Sequence, residues 1–323
     1  MYGNKILSGM VVVLFAGTPV AQAAPYPEKP IRFVVAFAAG GSIDLLARQF
    51  AQKLTESLGQ QVVVDNRAGA GGNLSAEITA RSAPDGYTIY ICAPSLVVNA
   101  ALYAKIPYDP VRDFAPVSLL ASVQNALVAY PGFGAKSVKE LIALAKSKPG
   151  QINYASTGSG SSGHLVMEMF RVQAGIDMTH VPYKTIGQTT ADLISGQVSL
   201  WFPTIPGALP HIKGGRMRVL AVAGAKRSPA LPDTPTVAEA AALPGFDATT
   251  WYAVLTPAGT PKDIVAKLNT AFLRALHSPD VQARLATQGV ESIGSTPEQA
   301  ATHIRSELPK WAKVVKEAGV RAD

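Results

Sequence analysis

The sequence predicts an α/β chain folded as a two-domain clamshell, with a cleft between two βα domains. Three observations predict it. Residues 31–58 read as strand, glycine turn and helix, and residues 152–174 repeat that order. The C-terminal tail then turns helical, with no sheet of its own, so it is expected to pack back on the first domain.

In the first unit Phe33 to Phe37 is a short aromatic and β-branched run, the mark of a buried strand. Gly40-Gly41 breaks it and Ser42 is placed to cap the next helix. Ile43, Leu46, Ala47, Phe50, Leu54 and Leu58 then recur at helical spacing. A turn of this kind leaves backbone N–H groups unpaired at the positive end of a helix dipole, a seat for an anion such as a carboxylate. The same turn also serves as a plain αβ corner. Gln61 to Asp65 is the second strand, and the Gly-rich Asn66 to Asn73 connects it to a helix over Leu74 to Ser82. Pro84-Asp85-Gly86 is a turn. Tyr87 to Cys92 is a third strand, followed by Pro94-Ser95 and a helix from Leu96 to Tyr103. Strands alternating with helices argue for βαβ units and a parallel sheet.

Val117 to Ser122 and Gln124 to Tyr130 are extended. A helix over Val138 to Ser147 leads through Pro149-Gly150 to a strand at Ile152 to Ala155. Ser156 to Gly163, all Ser, Thr and Gly, opens a helix from His164 to Ala174. Met178 to Tyr183 is a strand, and a helix over Gln188 to Ser195 stops at Gly196. Val198 to Phe202 and Met217 to Val222 are strands around a short helix at Leu209 to Lys213. The Pro-rich Ser228 to Thr236 links to an extended Asp247 to Leu255. Thr260 as N-cap and Pro261 at the first helical position begin a helix to about Leu276. Two more helices cover Pro279 to Gln288 and Pro297 to Ala318. Residues 25–124 with 247–323 are thus expected to form the first domain and 125–246 the second.

Composition narrows the function. The 323 residues carry a formal net charge of +7, or +6 without Lys5, and the basic residues are scattered rather than blocked. That pattern suits mild attraction of anionic solutes and not a nucleic-acid footprint. Residues 1–24 read as a secretory signal peptide: Lys5, the mostly apolar Ile6 to Val20, and Ala21-Gln22-Ala23-Ala24 as cleavage site. The expected product is exported, most simply to a bacterial periplasm. Cys92, the one cysteine, reads as a small core residue. No Cys/His cluster has metal-ligand spacing, and no cofactor is expected.

Walker A, G-x-S-x-G and H-E-x-x-H patterns are missing. Gly158 to Gly163 formally matches G-x-G-x-x-G, but the acidic partner about twenty positions on is not there: Asp177 precedes its strand and Asp192 falls inside a helix. The serines suggest another use, since hydroxyls and amides hold a carboxylate without a charged side chain. His164, at the helix start, reads as a structural hydrogen bonder. His180 reads as a satisfied core residue, and His211, His277 and His303 as surface helix positions. Asp44 reads as a cap or salt-bridge partner, whereas Asp192 can receive a ligand amine or hydroxyl. Trp201, Phe202 and Tyr183 can wall a pocket or fill core. A hydrolase using Ser161 or Ser162 with His164 lacks an acid to orient the histidine.

Motifs along the mature chain resemble the Bug family, the substrate-binding proteins of tripartite tricarboxylate transport systems. They are Val35 to Asp44, Asp65 to Asn73, Asp85-Gly86-Tyr87, Leu102 to Val117, Tyr154 to Leu165, Val181 to Lys184, Asp192 to Val198 and Pro257 to Pro261. The resemblance implies a two-domain periplasmic binding protein fold of the Venus-flytrap type. It implies a ligand carboxylate held by backbone N–H groups of two loops, here Ala38 to Ser42 and Ser156 to Ser162. The ligand-binding residues expected are Phe37, Ala38, Gly40, Gly41, Ser42, Ser95, Ser156, Thr157, Gly158, Ser161, Ser162, Tyr183, Asp192, Phe202 and Thr204. The chain departs from the family pattern at Ala39, where Pro is usual, and at Thr185, where Gly is usual. The expected function is capture of a small mono-, di- or tricarboxylate, or an aromatic acid such as terephthalate, for membrane transporter subunits. A role in signalling, with the liganded clamshell docking on a sensor kinase, is the alternative.

Overall fold

A computed structural model describes residues 26–319. The expected leader, residues 1–24, lies outside the described residues.

Two sheets carry the fold. The first has six strands in the order β11-β4-β10-β3-β1-β2 and the second five, in the order β7-β6-β8-β5-β9. In the first, β1 (Ile31–Val35) lies parallel to both β2 (Val62–Asn66) and β3 (Thr88–Cys92). The antiparallel strands β4 (Phe114–Val123), β10 (Thr250–Pro257) and β11 (Val290–Ser292) extend that sheet. β1 is buried on both faces, as its continuous apolar run requires. It ends two residues before Phe37 because the chain bends there; the Phe37 carbonyl accepts from Asn66 Nδ2 at 3.0 Å instead of joining a ladder. Helix α1 (Ser42–Leu58) turns Leu46, Phe50 and Leu54 onto the sheet, where Phe50 meets Phe272 of α9 (Lys262–Leu276) at 5.5 Å between ring centroids. α2 (Asn73–Ala80) and α3 (Ser95–Leu102) follow β2 and β3.

In the second sheet β6 (Asn153–Ser156) lies parallel to β7 (Thr179–Pro182) and β8 (Leu200–Trp201), while β5 (Ala126–Ala129) runs antiparallel to β8 and β9 (Arg218–Val222). Helices α4 (Val138–Ser147), α5 (Ser162–Ala174), α6 (Ile186–Ile194) and α7 (Ile205–Lys213) cover it. The two sheets have separate apolar cores, one built around Phe33, Phe50 and Phe272, the other around Tyr154, Phe170 and Phe202. Cys92 is buried in the first core, as its sequence setting suggests.

The chain passes between the sheets twice, between β4 and β5 and ahead of β10. Asn125 ties both crossings together. Its Oδ1 accepts from Thr250 Oγ1 at 2.9 Å, and its Nδ2 donates to the Phe202 carbonyl at 2.7 Å.

Three expectations need correction. The tail is not purely helical: β11 pairs with β4 between α10 (Pro279–Gln288) and α11 (Pro297–Ala318). A short helix, α8 (Val237–Ala241), follows the Pro-rich stretch, because Thr236 and Glu239 form a reciprocal capping box. α9 starts at Lys262 with Pro261 as N-cap and no side-chain cap; Thr260 sits one residue too early, and its hydroxyl donates to the Pro257 carbonyl at 2.8 Å. The return of the tail holds. α11 packs on α3 and β4, and Glu307 inside it accepts from the indole N–H of Trp251 and of Trp311, both at 2.8 Å.

Candidate functional site

Between the sheets lies a cavity of about 440 Å³, into which four helix N-termini deliver residues: Ser42 from α1, Ser162 and Gly163 from α5, Ile186 and Gly187 from α6, and Thr204 at the cap of α7 with Gly207 in its first turn. α6 is capped by Thr185, whose Oγ1 accepts from Gln188 N at 3.2 Å, which gives the departure at Thr185 a structural purpose. No side chain caps α1 or α5. The first amides of those two helices therefore have no intrahelical acceptor and carry the positive end of each dipole.

The first loop reaches this shape through Gly40, whose φ of +87° suits glycine. Its own amide is already used: it donates to Asp44 Oδ2 at 2.9 Å. The Asp44 carboxylate also accepts from Asn66 Nδ2 at 3.0 Å and pairs with Arg48 at 3.1 Å, so it braces the loop, as the sequence reading expects. Burial pushes its carboxyl up, but the Gly40 amide, Arg48 and Asn66 outweigh that and hold it below the usual carboxylate range.

In the second loop Ser156 Oγ meets His180 Nε2 at 2.6 Å and accepts from Gly158 N at 3.1 Å. His164 Nδ1 accepts from Gly160 N at 3.1 Å, and its ring stacks on His180 at 4.0 Å. Ser161 Oγ is buried, lines the cavity and has no hydrogen-bond partner. A buried, unsatisfied hydroxyl at the start of an uncapped helix is a donor waiting for an acceptor. His164 Nδ1 takes the Gly160 amide and not this hydroxyl. Gly163 matters through close approach: a Cβ there would sit 2.6 Å from the Phe202 carbonyl oxygen.

Across the cleft the Ser42 and Thr204 hydroxyls bond each other. Trp201, Phe202, Phe37, Ile43 and Ile186 supply apolar walls. None of the described residues lining this cavity carries a formal charge; its two titratable side chains are Tyr252, whose phenol burial pushes far up, and His211.

Of the expected site residues, Phe37, Gly40, Gly41, Ser42, Thr157, Ser161, Ser162, Phe202 and Thr204 come together here. Ala38, Gly158 and Tyr183 line an adjoining cavity of about 500 Å³, which shares Phe37, Thr157 and Ile186 with the first and contains Lys184. Three expected residues line neither. Ser95 is buried beneath the Gly-rich connection after β2. Ser156 turns inward to His180, and Asp192 lies beside Tyr183, whose pKa burial and that carboxylate both raise. His211 is not a plain surface position either, since it lines the cavity. Sequence reading missed Thr190, His211, Thr250 and Tyr252, which sit in elements far from both glycine loops.

Among the described residues no group of three or more His, Cys, Asp or Glu is placed to hold a metal, and no helix is long and apolar enough to cross a membrane.

Two α/β lobes with an uncharged, donor-lined cavity between them define a solute-binding protein of the periplasmic class. Residues 46–320 match the family described as tripartite tricarboxylate transporter family receptor, and the chain belongs to that family, which includes the Bug proteins. It is 40% identical over 302 residues to protein BugT of Bordetella pertussis, covering 93% of this chain and 92% of that one. Among solved structures, Rpa4515 of R. palustris with adipate is 38% identical with a TM-score of 0.87, covering 92% of this chain and all of that one. MatC (Rpa3494) from Rhodopseudomonas palustris with bound malate is 34% identical with a TM-score of 0.83, covering 90% of this chain and all of that one.

Proposed function

We propose that this protein captures a small organic carboxylate in the cavity between its lobes and presents it to the membrane subunits of a tripartite tricarboxylate-type transporter. The observation that carries the reading is the pair of uncapped helix starts, α1 and α5, with the unpartnered Ser161 hydroxyl, in a cavity without formal charge. Amide and hydroxyl donors of this kind complement a carboxylate and leave no buried cation to satisfy when the site is empty. The relatives bound to adipate and malate support the same class of ligand. In this reading the lobes, 25–124 with 247–323 and 125–246, close about the two crossings at Asn125 and Thr250, and water leaves as they close. Residues 1–24 direct export to the periplasm and are then removed. Binding needs no covalent step.

A thermal-shift panel of mono-, di- and tricarboxylates and aromatic acids tests this. A true ligand raises the melting temperature progressively with concentration, by mass action. An unchanged melting temperature across the panel contradicts it.

A further inference from the structure

The carboxylate seat leaves the rest of the cavity unexplained, and one residue there stands apart. His211 lies in the last turn of α7, lines the cavity, and has a buried Nδ1 without a hydrogen-bond partner. The remaining walls are Phe37, Ile43, Ile186, Trp201, Phe202 and small residues, apart from the hydroxyls of Thr157, Thr190, Thr204, Thr250 and Tyr252. Among the described residues His211 is thus the one lining side chain able to become a cation.

We propose that His211 receives a second carboxylate of the solute, so that the cavity selects dicarboxylates, with one end on the α1 and α5 helix starts and the other on the imidazole. The inference rests on the proposed carboxylate seat and adds to it the identity of the far end.

The surroundings fit a ring that is neutral when the site is empty and charged when it is filled. Burial, and then Arg216, lower its pKa from the ordinary histidine value. No carboxylate opposes them. Asp192 on α6 lies beside Tyr183 and is not among the residues lining the cavity. On α10, which packs against α7, Asp280 is held by Lys53 at 2.8 Å and Arg284 is a further cation. On β9, Arg218 donates to the Phe133 carbonyl at 2.9 Å, and Lys213 follows on α7 itself. Facing β10 offers only the Tyr252 phenol, kept protonated by burial. Meanwhile the C-terminal end of α7 favours an imidazolium through the helix dipole. A ligand carboxylate arriving here supplies the missing anion and draws a proton onto the ring. Dicarboxylate binding then takes up a proton, and its affinity rises as pH falls, by up to about tenfold per unit. A monocarboxylate of the same length leaves His211 neutral, and its affinity stays flat in pH.

The test is calorimetric titration of the full chain at pH about 8 and about 6. The probes are α,ω-dicarboxylates of about three to eight carbons and monocarboxylates of matched length. Expected is a dicarboxylate preference that grows on acidification. His211→Gln abolishes both preference and pH slope, and weakens the dicarboxylate roughly tenfold or more while leaving the monocarboxylate within about twofold. His211→Asn, and unliganded melting temperatures of both variants, separate this from loss of fold. Dicarboxylate binding that is flat in pH, or indifferent to His211→Gln, overturns the inference and leaves the carboxylate seat standing. Loss of preference in Lys184→Gln instead places the far end in the adjoining cavity and also overturns it. If neither acid series binds, the inference and the carboxylate seat fall together.

Discussion

Glu307 is the residue on which the return of the tail turns. It sits in α11 yet takes one hydrogen bond from Trp251 of β10 and one from Trp311, and pairs with Lys310 at 3.0 Å. Glu307→Ala strands two buried indole donors, and is expected to destabilise the fold by about 3 kcal/mol in urea unfolding, with Glu307→Gln losing less. At the cavity, Gly163→Ala sets a methyl against the Phe202 carbonyl. The expected result is about 1–3 kcal/mol of destabilisation and weaker ligand binding, read by the same unfolding curve and by titration. Residues such as Ser42, Ser161 and Ser162 were legible in the sequence because each follows a strand and opens a helix, a pattern local enough to read. Tyr252 and His211 were not. One lies in a strand of the first sheet and the other on a helix of the second, and only the tertiary fold brings both to the cavity wall. Asp192 misled for the matching reason: a groove-facing position and one beside a neighbouring tyrosine have the same local sequence.

At the scale of elements, periodicity located most helices well, and α4, α10 and α11 begin and end at the residues it indicates. α8 escaped because five residues carry too little period to register. Its capping box, Thr236 with Glu239, was nonetheless written in the sequence. Thr236→Ala should cost about 1 kcal/mol, measurable as a shift in the urea midpoint with unchanged slope. The three-residue strand β11 is held by pairing with β4, a partner more than 160 residues earlier, so no local signal marks it. The strand ends shift for a similar reason. β1 stops short of Phe37 because Asn66, from the end of β2, takes the Phe37 carbonyl.

For the molecule as a whole, the two glycine loops and the two crossings set what the fold can do. The loops put unsatisfied donors on facing lobes, and Asn125 links both crossings to the cavity wall at Phe202. Acid should loosen this assembly in a defined direction. Asp44 and Glu307 both have carboxyl pKa values below their ordinary range. At Asp44 the Gly40 amide and Arg48 outweigh burial; at Glu307 the Trp251 indole, Lys310 and Trp311 do. A carboxyl lowered in the folded state contributes stability that is present above its unfolded pKa of about 4 and is lost as pH falls through the folded value. Chemical unfolding from pH about 6 down to about 3 should therefore show falling stability, and Asp44→Asn should flatten part of that fall.

A crystal structure of the protein with a bound dicarboxylate is the sharpest test of the carboxylate seat. A carboxylate is expected at hydrogen-bond distance from the Ser161 hydroxyl and the opening amides of α1 and α5, with no lysine or arginine among its contacts. A carboxylate found instead on the Lys184 ammonium in the adjoining cavity, with the Ser161 hydroxyl still unpartnered, would contradict it.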